Sequence, residues 1–176
     1  MVLVERREVS YNFPDFEPVT AKDKFGNDCL IRKYEHRKDR EKLIEMYLSF
    51  DHSQRCLGLP PVSKEGIERW IDYLAKSGFG IVAEVDDRIV GHLVIVPTED
   101  GKNVDLTIFV HQDFQNKGIG QLLMSLIIDY CKRAGFEGIT LVTERTNSRA
   151  IHVYKKFGFK IVAPYYECDM YLPLKE

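Results

Sequence analysis

Hydrophobic and polar positions follow two different periods along the chain. Apolar residues recur every three or four positions within 37–50, 64–77, 118–134 and 147–157, which predicts four helices. Shorter apolar runs bounded by turn residues predict strands at 19–23, 29–34, 80–85, 89–96, 104–110, 139–143, 159–163 and 168–172. This order of elements predicts an α/β (α+β) protein with a mixed central sheet.

Turn and capping residues mark where these elements begin and end. Residues 24–27 predict a hairpin turn, Ser63 precedes an apolar stripe as an N-cap does, and Gly135 follows the longest helix as a C-terminal cap. We expect residues 1–28 to form an N-terminal extension with one hairpin strand. Residues 29–172 are expected to form a single domain, and residues 173–176 a C-terminal tail.

Composition narrows the function classes. The chain has 176 residues, of which 44% are hydrophobic and 30% charged, as in an ordinary globular domain. Its formal net charge of -2 argues against a nucleic-acid partner bound through bulk positive charge. No apolar run reaches the ~20 residues that span a bilayer, and residues 1–9 lack the apolar core of a signal peptide. We therefore expect no membrane partner and a cytoplasmic protein.

Cysteine and histidine spacing predicts no metal site. The 4 cysteines form no Cys-x-x-Cys pair, and the 5 histidines show no ligand spacing. Reduced thiols are therefore expected, most of them packed as small apolar side chains.

The most informative segment is 104–120, in which a strand, a glycine-containing turn and a helix follow one another. A helix start exposes backbone N–H groups and the positive end of the helix dipole, which favours an anion such as pyrophosphate. Gly118 and Gly120 would let the phosphates approach, and Gln115 and Lys117 would add donors. Both Gly-x-x-x-x-Gly-Lys-Ser/Thr and Gly-x-Gly-x-x-Gly are absent, so two glycines alone would equally suit a tight turn.

Two spaced motifs carry a family resemblance. Gln115-x-x-Gly118-x-Gly120 follows the strand, and Asn147-x-x-Ala150-x-x-x-Tyr154-x-x-x-Gly158-Phe159 follows later. Together they resemble the acetyl-CoA motif and the second conserved helix of the GNAT superfamily of N-acetyltransferases. The resemblance covers roughly 29–172. The N-terminal half is also loosely similar to Pat-type protein acetyltransferases.

The resemblance implies a sheet whose central strands, 104–110 and 139–143, splay apart to seat the pantetheine arm of acetyl-CoA. It implies the cofactor-binding residues Ile108, Phe109, Val110, Gln115, Asn116, Lys117, Gly118, Ile119, Gly120, Asn147 and Tyr154. Candidates for the adenosine 3′-phosphate are Arg149, Lys155 and Lys156, some of which would equally serve as solvated helix charges.

The implied activity is acetyl transfer to a primary amine, of a small molecule or a protein, by direct attack on the thioester. Tyr154 matches the family's general acid, although its helical spacing would also suit a core aromatic. The oligomeric state stays open, with a homodimer as one option.

The general base cannot be transferred from the family. Val104 stands where many relatives carry a glutamate, which leaves Glu84, His92, Asp105 and His111 as candidates. A low-pKa amine would need little help, because neutralising it at pH 7 costs about 1 kcal/mol against about 4–5 kcal/mol for a lysine. The missing glutamate also keeps open a non-catalytic acyl-CoA sensor.

Overall fold

A computed structural model describes residues 11–175. In chain order, the described elements are β1 (Val19–Lys22), β2 (Asp28–Lys33), α1 (His36–Leu48), α2 (Lys64–Ser77), β3 (Phe79–Val85), β4 (Arg88–Pro97), β5 (Asn103–Val110), α3 (Ile119–Ala134), β6 (Gly138–Glu144), α4 (Ser148–Lys156), β7 (Lys160–Pro164) and β8 (Glu167–Pro173). Every predicted helix and strand is present, with ends shifted by one or two residues.

The strands form one mixed sheet in the order β1-β2-β3-β4-β5-β6-β8-β7. Among the strands within residues 11–175, only β5 and β6 pair in parallel; the other neighbours are antiparallel. The predicted α/β class with a mixed sheet is confirmed.

Local chemistry explains the turns and helix ends. The β3–β4 hairpin turns on Asp86 and Asp87, whose φ angles of 49° and 63° match the twist of the flanking strands. The Ser63 side chain accepts a hydrogen bond from the N–H of Gly66, as predicted for an N-cap. Gly135 ends α3 with φ 88°, a conformation that glycine adopts without strain.

Two apolar cores lie on opposite faces of the sheet. Helix α3 covers one face, and α1 and α2 cover the other over β3 and β4. The three- and four-residue spacing of apolar positions on α3 predicts a buried stripe that includes Leu122 and Leu126. Both are only half-buried, whereas Met124 and Cys131 are fully buried. The buried face of α3 is therefore rotated toward those two residues.

The N-terminal arm, residues 11–18, is fastened to α3. The Tyr11 hydroxyl donates to the carbonyl of Ala134 at 2.9 Å, and the Tyr130 hydroxyl donates to the carbonyl of Pro14 at 2.6 Å. Residues 1–10, including the segment that lacks a signal-peptide pattern, and residue 176 lie outside the described residues. Strand β1 continues the sheet from this arm. The domain boundaries at 28 and 172 stay predictions.

Across residues 11–175, none of the helices has the length and apolarity that a membrane crossing requires. None of the four cysteines is paired; three are buried and Cys56 is half-buried. Within the same residues, no three His, Cys, Asp or Glu side chains cluster as metal ligands would.

Candidate functional site

A fork between β5 and β6 opens the sheet. The two strands pair only at Asn103–Gly138, Val104–Ile139 and Asp105–Thr140, although β5 continues to Val110 and β6 to Glu144. At the fork the Thr140 hydroxyl donates to the Asp105 carboxylate. Beyond it lies a cleft of about 720 Å³. The predicted splay of the central strands is therefore present.

The free edge of β5 has a definite set of backbone groups. On its other edge, His111 N–H donates to Val90 and Thr98 N–H donates to Asn103, which fixes the phase of the antiparallel ladder. Paired residues in an antiparallel ladder alternate between hydrogen-bonded and non-hydrogen-bonded pairs. The backbone N–H and C=O groups of odd-numbered β5 residues therefore point to β4, and those of even-numbered residues point to the fork. Ile108 thus presents its N–H and C=O to the cleft, and Val110 presents its N–H, since the Val110 carbonyl already accepts from Gln115 Nε2.

Phe109 departs from the predicted role. Its backbone pairs with His92 on β4, so it cannot pair with a ligand in the fork. Its side chain instead forms part of the cleft wall, with ring contacts to Tyr47, Phe50 and Trp70. The prediction of three successive backbone contacts is corrected to two, at Ile108 and Val110.

The start of α3 forms an anion cradle at one end of the cleft. Asn116 and Gly118 have φ angles of 63° and 88°, so the chain turns sharply into the helix. The first helical hydrogen bond described runs from Leu122 N–H to Gly118 C=O. The N–H groups of residues 119–121 therefore have no intrahelical acceptor. Gln115 supports the turn, because its Nε2 donates to the carbonyl of Val110 at 3.0 Å.

Gly120 keeps the cradle open. A methyl group built on it would lie 3.6 Å from Val110 Cγ2, an ordinary contact. A longer side chain would extend into the cleft that Gly120 lines. The absence of a long side chain, and not backbone strain, is therefore what this position requires.

Two lysines surround the cradle. Lys24, from the β1–β2 turn, lines the cleft, and its Cγ would lie 3.5 Å from a methyl built on Gly118. The Lys24 N–H donates to Lys117 C=O at 2.9 Å, which docks the turn on the cradle. Lys117 Nζ lies 5.0 Å from the Phe114 ring centroid. Sequence reasoning missed Lys24, since nothing in the hairpin pattern shows where its turn docks.

Helix α4 contributes the far wall. The Asn147 side-chain oxygen accepts from Ala150 N–H at 3.3 Å and caps the helix. Arg149 and Tyr154 line the cleft, whereas Lys155 and Lys156 do not. Of the three basic candidates on α4, Arg149 is therefore the one placed toward a ligand.

Tyr154 has its hydroxyl in an apolar setting. Burial raises its pKa to about 12, with a smaller contribution from nearby Cys56. The hydroxyl therefore stays protonated, which suits a hydrogen-bond donor. Full proton transfer to a thiolate with a pKa of ~8.5 would cost about 5 kcal/mol, which disfavours Tyr154 as an early proton donor.

Three of the four candidate bases are occupied elsewhere. Glu84, on β3, pairs with Arg32 of β2 at 3.1 Å and with Lys42 of α1 at 3.4 Å. His92 is buried and bonded to Tyr47, and burial lowers its pKa to about 3. His111 is buried, with Nε2 near Ser49 Oγ and Nδ1 accepting from Asp113 N–H. Asp105 is the candidate that lines the cleft.

The loop 51–61 lines the cleft beside the end of β6, with Cys56 near Tyr154 of α4. Leu57 N–H donates to Glu144 at 3.0 Å, and Cys56 Sγ lies 3.8 Å from Thr143 Oγ1. Asp51 N–H donates to Gln112 at 3.0 Å. The contacts of Cys56 and Leu57 with the end of β6 were not foreseen, because they join residues 87 positions apart.

Comparison with known proteins agrees with this architecture. The sequence profile of the acetyltransferase (GNAT) family matches residues 39–159. The chain belongs to the GNAT family. Its cradle, fork and α4 motif lie within or beside the matched region.

Individual GNAT relatives are distant. The chain is 30% identical over 95 residues to mycothiol acetyltransferase of Propionibacterium freudenreichii subsp. shermanii, which covers 52% of this chain and 30% of that protein. It spans only 30% to 37% of the length of the first curated relatives that it matches.

Solved GNAT structures share the fold. The GNAT domain of S. lividans PAT superposes with a TM-score of 0.76 at 13% identity, over 92% of this chain and 99% of that one. The yncA protein of Salmonella typhimurium, solved with its cofactor acetyl-CoA, gives a TM-score of 0.68 at 21% identity, over 83% of this chain and 94% of that one.

Proposed function

We propose that this GNAT domain is an acetyl-CoA-dependent N-acetyltransferase that acts on a primary amine. The observation that carries the proposal is the continuous path from the free edge of β5 to the unsatisfied N–H groups at the start of α3. A ligand with two amides at one end and a pyrophosphate at the other matches that path. Family membership supports the same assignment.

The chain's own groups would hold acetyl-CoA in three places. Ile108 and Val110 would pair with the pantetheine amides as a short added strand. The N–H groups of residues 119–121, with Lys24 and Lys117, would bind the pyrophosphate. Arg149 is the proposed partner of the 3′-phosphate. Asn147 remains a proposed pantetheine contact through its amide nitrogen, since its oxygen caps α4.

When bound, acetyl-CoA supplies the activated acyl group as a thioester. Ile108, which lies farther from the cradle than Val110, presents its N–H to the fork and would donate to the thioester carbonyl, where negative charge develops during attack. The Val110 N–H and the Ile108 carbonyl would then serve the pantetheine amides. Tyr154 would donate a hydrogen bond to the sulfur. Its high pKa favours stabilisation of the leaving group by hydrogen bonding over early proton transfer.

The acceptor should be an amine that is easily neutralised. Asp105 is the candidate base lining the cleft, and it already accepts from Thr140 at the closed end of the fork. An α-amine with a pKa near ~8 costs about 1 kcal/mol to deprotonate at pH 7, whereas a lysine costs about 4–5 kcal/mol. We therefore propose acceptors with low-pKa amines, on a small molecule or a peptide N-terminus.

One experiment tests the proposal against the sensor alternative. Acetyl-CoA binding is measured by calorimetry, and thiol release is followed with panels of amino acids, peptide N-termini and polyamines. Binding with amine-dependent thiol release supports the enzyme, and binding with no release for any amine supports the sensor. If acetyl-CoA does not bind, both are wrong.

Location and assembly are part of the proposal. We infer a cytoplasmic protein, supported by four unpaired cysteines, the usual state in a reducing compartment. A homodimer, the absence of nucleic-acid and membrane partners, and the 29–172 domain limits stay predictions.

A further inference from the structure

A second cavity of about 480 Å³ lies beneath α1 and α2, separate from the residues of the fork. Its floor is formed by Gly80, His92 and Val94 on the sheet. Its walls include Leu43 from α1 and Leu74 from α2, and the N-terminal arm contributes Asn12 and Phe13. The volume is within the range of small-molecule sites.

His92 leaves one nitrogen for this cavity. The residue is only 3% exposed, and Nδ1 lies 2.7 Å from the Tyr47 hydroxyl. Among residues 11–175 Nε2 has no hydrogen-bond partner, yet it is not sealed from a small probe. A polar atom this deeply placed is normally satisfied.

The direction of the Tyr47–His92 hydrogen bond sets what Nε2 can do. Tyr47 is fully buried, and His92 is the partner described for its hydroxyl. A buried O–H must donate, so it donates to Nδ1. Since burial lowers the pKa of His92 to about 3, the neutral ring carries its proton on Nε2. The cavity floor therefore presents an N–H donor without an acceptor.

Gly80 makes room for a ligand next to that donor. A methyl built on Gly80 would lie 3.6 Å from His92 Nε2 and 3.4 Å from Tyr34 Cβ, both ordinary contacts. Glycine inside a strand is unfavourable and often marks the close approach of another group. Glycine is thus not required by backbone crowding here; it leaves the floor beside Nε2 open.

We propose that this cavity binds a small compound that presents a carbonyl or carboxylate oxygen to His92 Nε2. Behind the donor, the cavity wall is backed by Leu43, Ile71, Leu74 and Val94, which are themselves almost fully buried. The rim holds one cation and one anion, Lys33 and Glu35, both exposed, so the rim alone selects neither charge. The floor donor is what selects an oxygen acceptor.

The cavity is connected to the fork through aromatic contacts. Tyr47 lies 6.0 Å, centroid to centroid, from Phe109, which lines the fork, and 5.1 Å from Trp70. Trp70 is the single tryptophan of the chain, so its fluorescence reports on this cluster.

The test uses three probes of similar shape: benzoate, benzamide and benzylamine. The full chain is labelled with ¹⁵N-histidine, and the His92 Nε2 resonance and Trp70 fluorescence are followed during titration. Benzoate and benzamide are expected to shift the His92 resonance saturably, whereas benzylamine is not. Excess coenzyme A should leave both titrations unchanged, which separates this cavity from the proposed acetyl-CoA site.

Two variants make the outcome decisive. Gly80→Val fills the floor with a side chain that suits a strand, and should abolish binding of both oxygen-bearing probes. Lys33→Met removes the rim cation and should weaken benzoate severalfold while leaving benzamide, which carries no charge, unchanged; loss of benzamide binding in this variant would contradict the role given to His92 Nε2. If neither benzoate nor benzamide shifts the His92 resonance, if benzylamine shifts it equally, or if a folded Gly80→Val variant binds as wild type does, the proposal is wrong.

Discussion

The two edges of β5 differ in how much of their hydrogen-bonding capacity the protein uses. Toward β4, seven consecutive pairs run from Gly91–Val110 to Pro97–Val104. Toward β6, three pairs are followed by the open fork. The same eight residues therefore form a fixed wall on one side and an unsatisfied edge on the other. The capacity of β5 to bind a ligand comes from backbone groups that β6 leaves unpaired, and not from unusual residues.

The surroundings of the two edges follow the same division. On the β4 side, Tyr47, Trp70 and Phe109 form a close-packed aromatic cluster. On the β6 side, the loop 51–61 reaches the end of β6 through one backbone hydrogen bond to Glu144 and one sulfur contact to Thr143. Pairing with β4 holds β5 in place, so that its free edge can position a ligand. The loop 51–61, which has few contacts with β6, leaves access for an acceptor.

Gly120→Glu should have the largest effect, because it acts on the open side alone. A carboxylate at this position would enter the cradle and repel a pyrophosphate, so acetyl-CoA affinity should fall by about 100-fold or more. Calorimetry measures the affinity, and circular dichroism checks the fold. Gly120→Ala is the matched control and should bind nearly as wild type, since a methyl fits at 3.6 Å from Val110. Unchanged affinity in folded Gly120→Glu would place the pyrophosphate elsewhere.

Tyr154→Phe tests the chemistry at the open edge. Loss of the hydroxyl should lower kcat by roughly 10- to 100-fold, with little change in KM for acetyl-CoA. Steady-state kinetics from pH 6 to 10 provide the check. Because the pKa of Tyr154 is raised to about 12, wild type should show no decline of kcat over this range from loss of the tyrosyl proton. Equal kcat values in the two proteins would remove Tyr154 from the reaction.

His92 tests the closed side through the pH dependence of stability. Its folded-state pKa of about 3 lies below the unfolded value of ~6.5, so only the unfolded chain binds its proton between these values. The stability contributed by keeping His92 neutral is therefore present above pH 6.5 and lost as the pH falls. From pH 7 to pH 5 it should decrease by about 2 kcal/mol.

Urea unfolding at the two pH values isolates this contribution. His92→Gln, which retains an acceptor for the Tyr47 hydroxyl, should lose about 2 kcal/mol less than wild type between pH 7 and pH 5. His152→Gln, at an exposed position, should behave as wild type does. An identical pH dependence in wild type and His92→Gln would show that His92 is not held neutral.

Lys24→Gln should have the smallest effect and refine the picture of the cradle. Loss of one exposed cation beside the pyrophosphate should weaken acetyl-CoA binding severalfold, and the difference should shrink with added salt. Lys22→Gln removes a lysine that pairs with Asp28 on the same hairpin and should leave binding unchanged. If the two variants bind equally well, the β1–β2 turn does not take part in the cradle.

Local sequence patterns were sufficient to predict the helices and strands and, through the family resemblance, the fork between β5 and β6. The hairpin turn at residues 24–27, the Ser63 cap and the glycine end of α3 each follow from short-range chemistry that the sequence shows directly. The fork could be expected from the two glycine-containing motifs through the family they resemble. Val104 occupies the position where many relatives carry a glutamate. It is fully buried in the core and supplies no base to the cleft.

What could not be predicted depends on relations between distant residues. The alternation that assigns Phe109 to β4 depends on the phase of the ladder, which is fixed by the register with Gly91 and His92. Lys24 reaches the cradle through a hydrogen bond to a residue 93 positions away along the chain. The raised pKa of Tyr154 comes from burial that its helical spacing alone could not quantify.

The alternation along β5 also makes the length of this strand critical. If one residue were inserted between Thr107 and Val110, the backbone N–H and C=O groups of every later residue in the strand would change sides between β4 and the fork. The groups now offered to the fork would turn to β4, and those that complete the β4 ladder would lose their partners. A single-residue indel in this stretch would therefore be more damaging than most substitutions, because it breaks the fixed wall and the docking edge in one step.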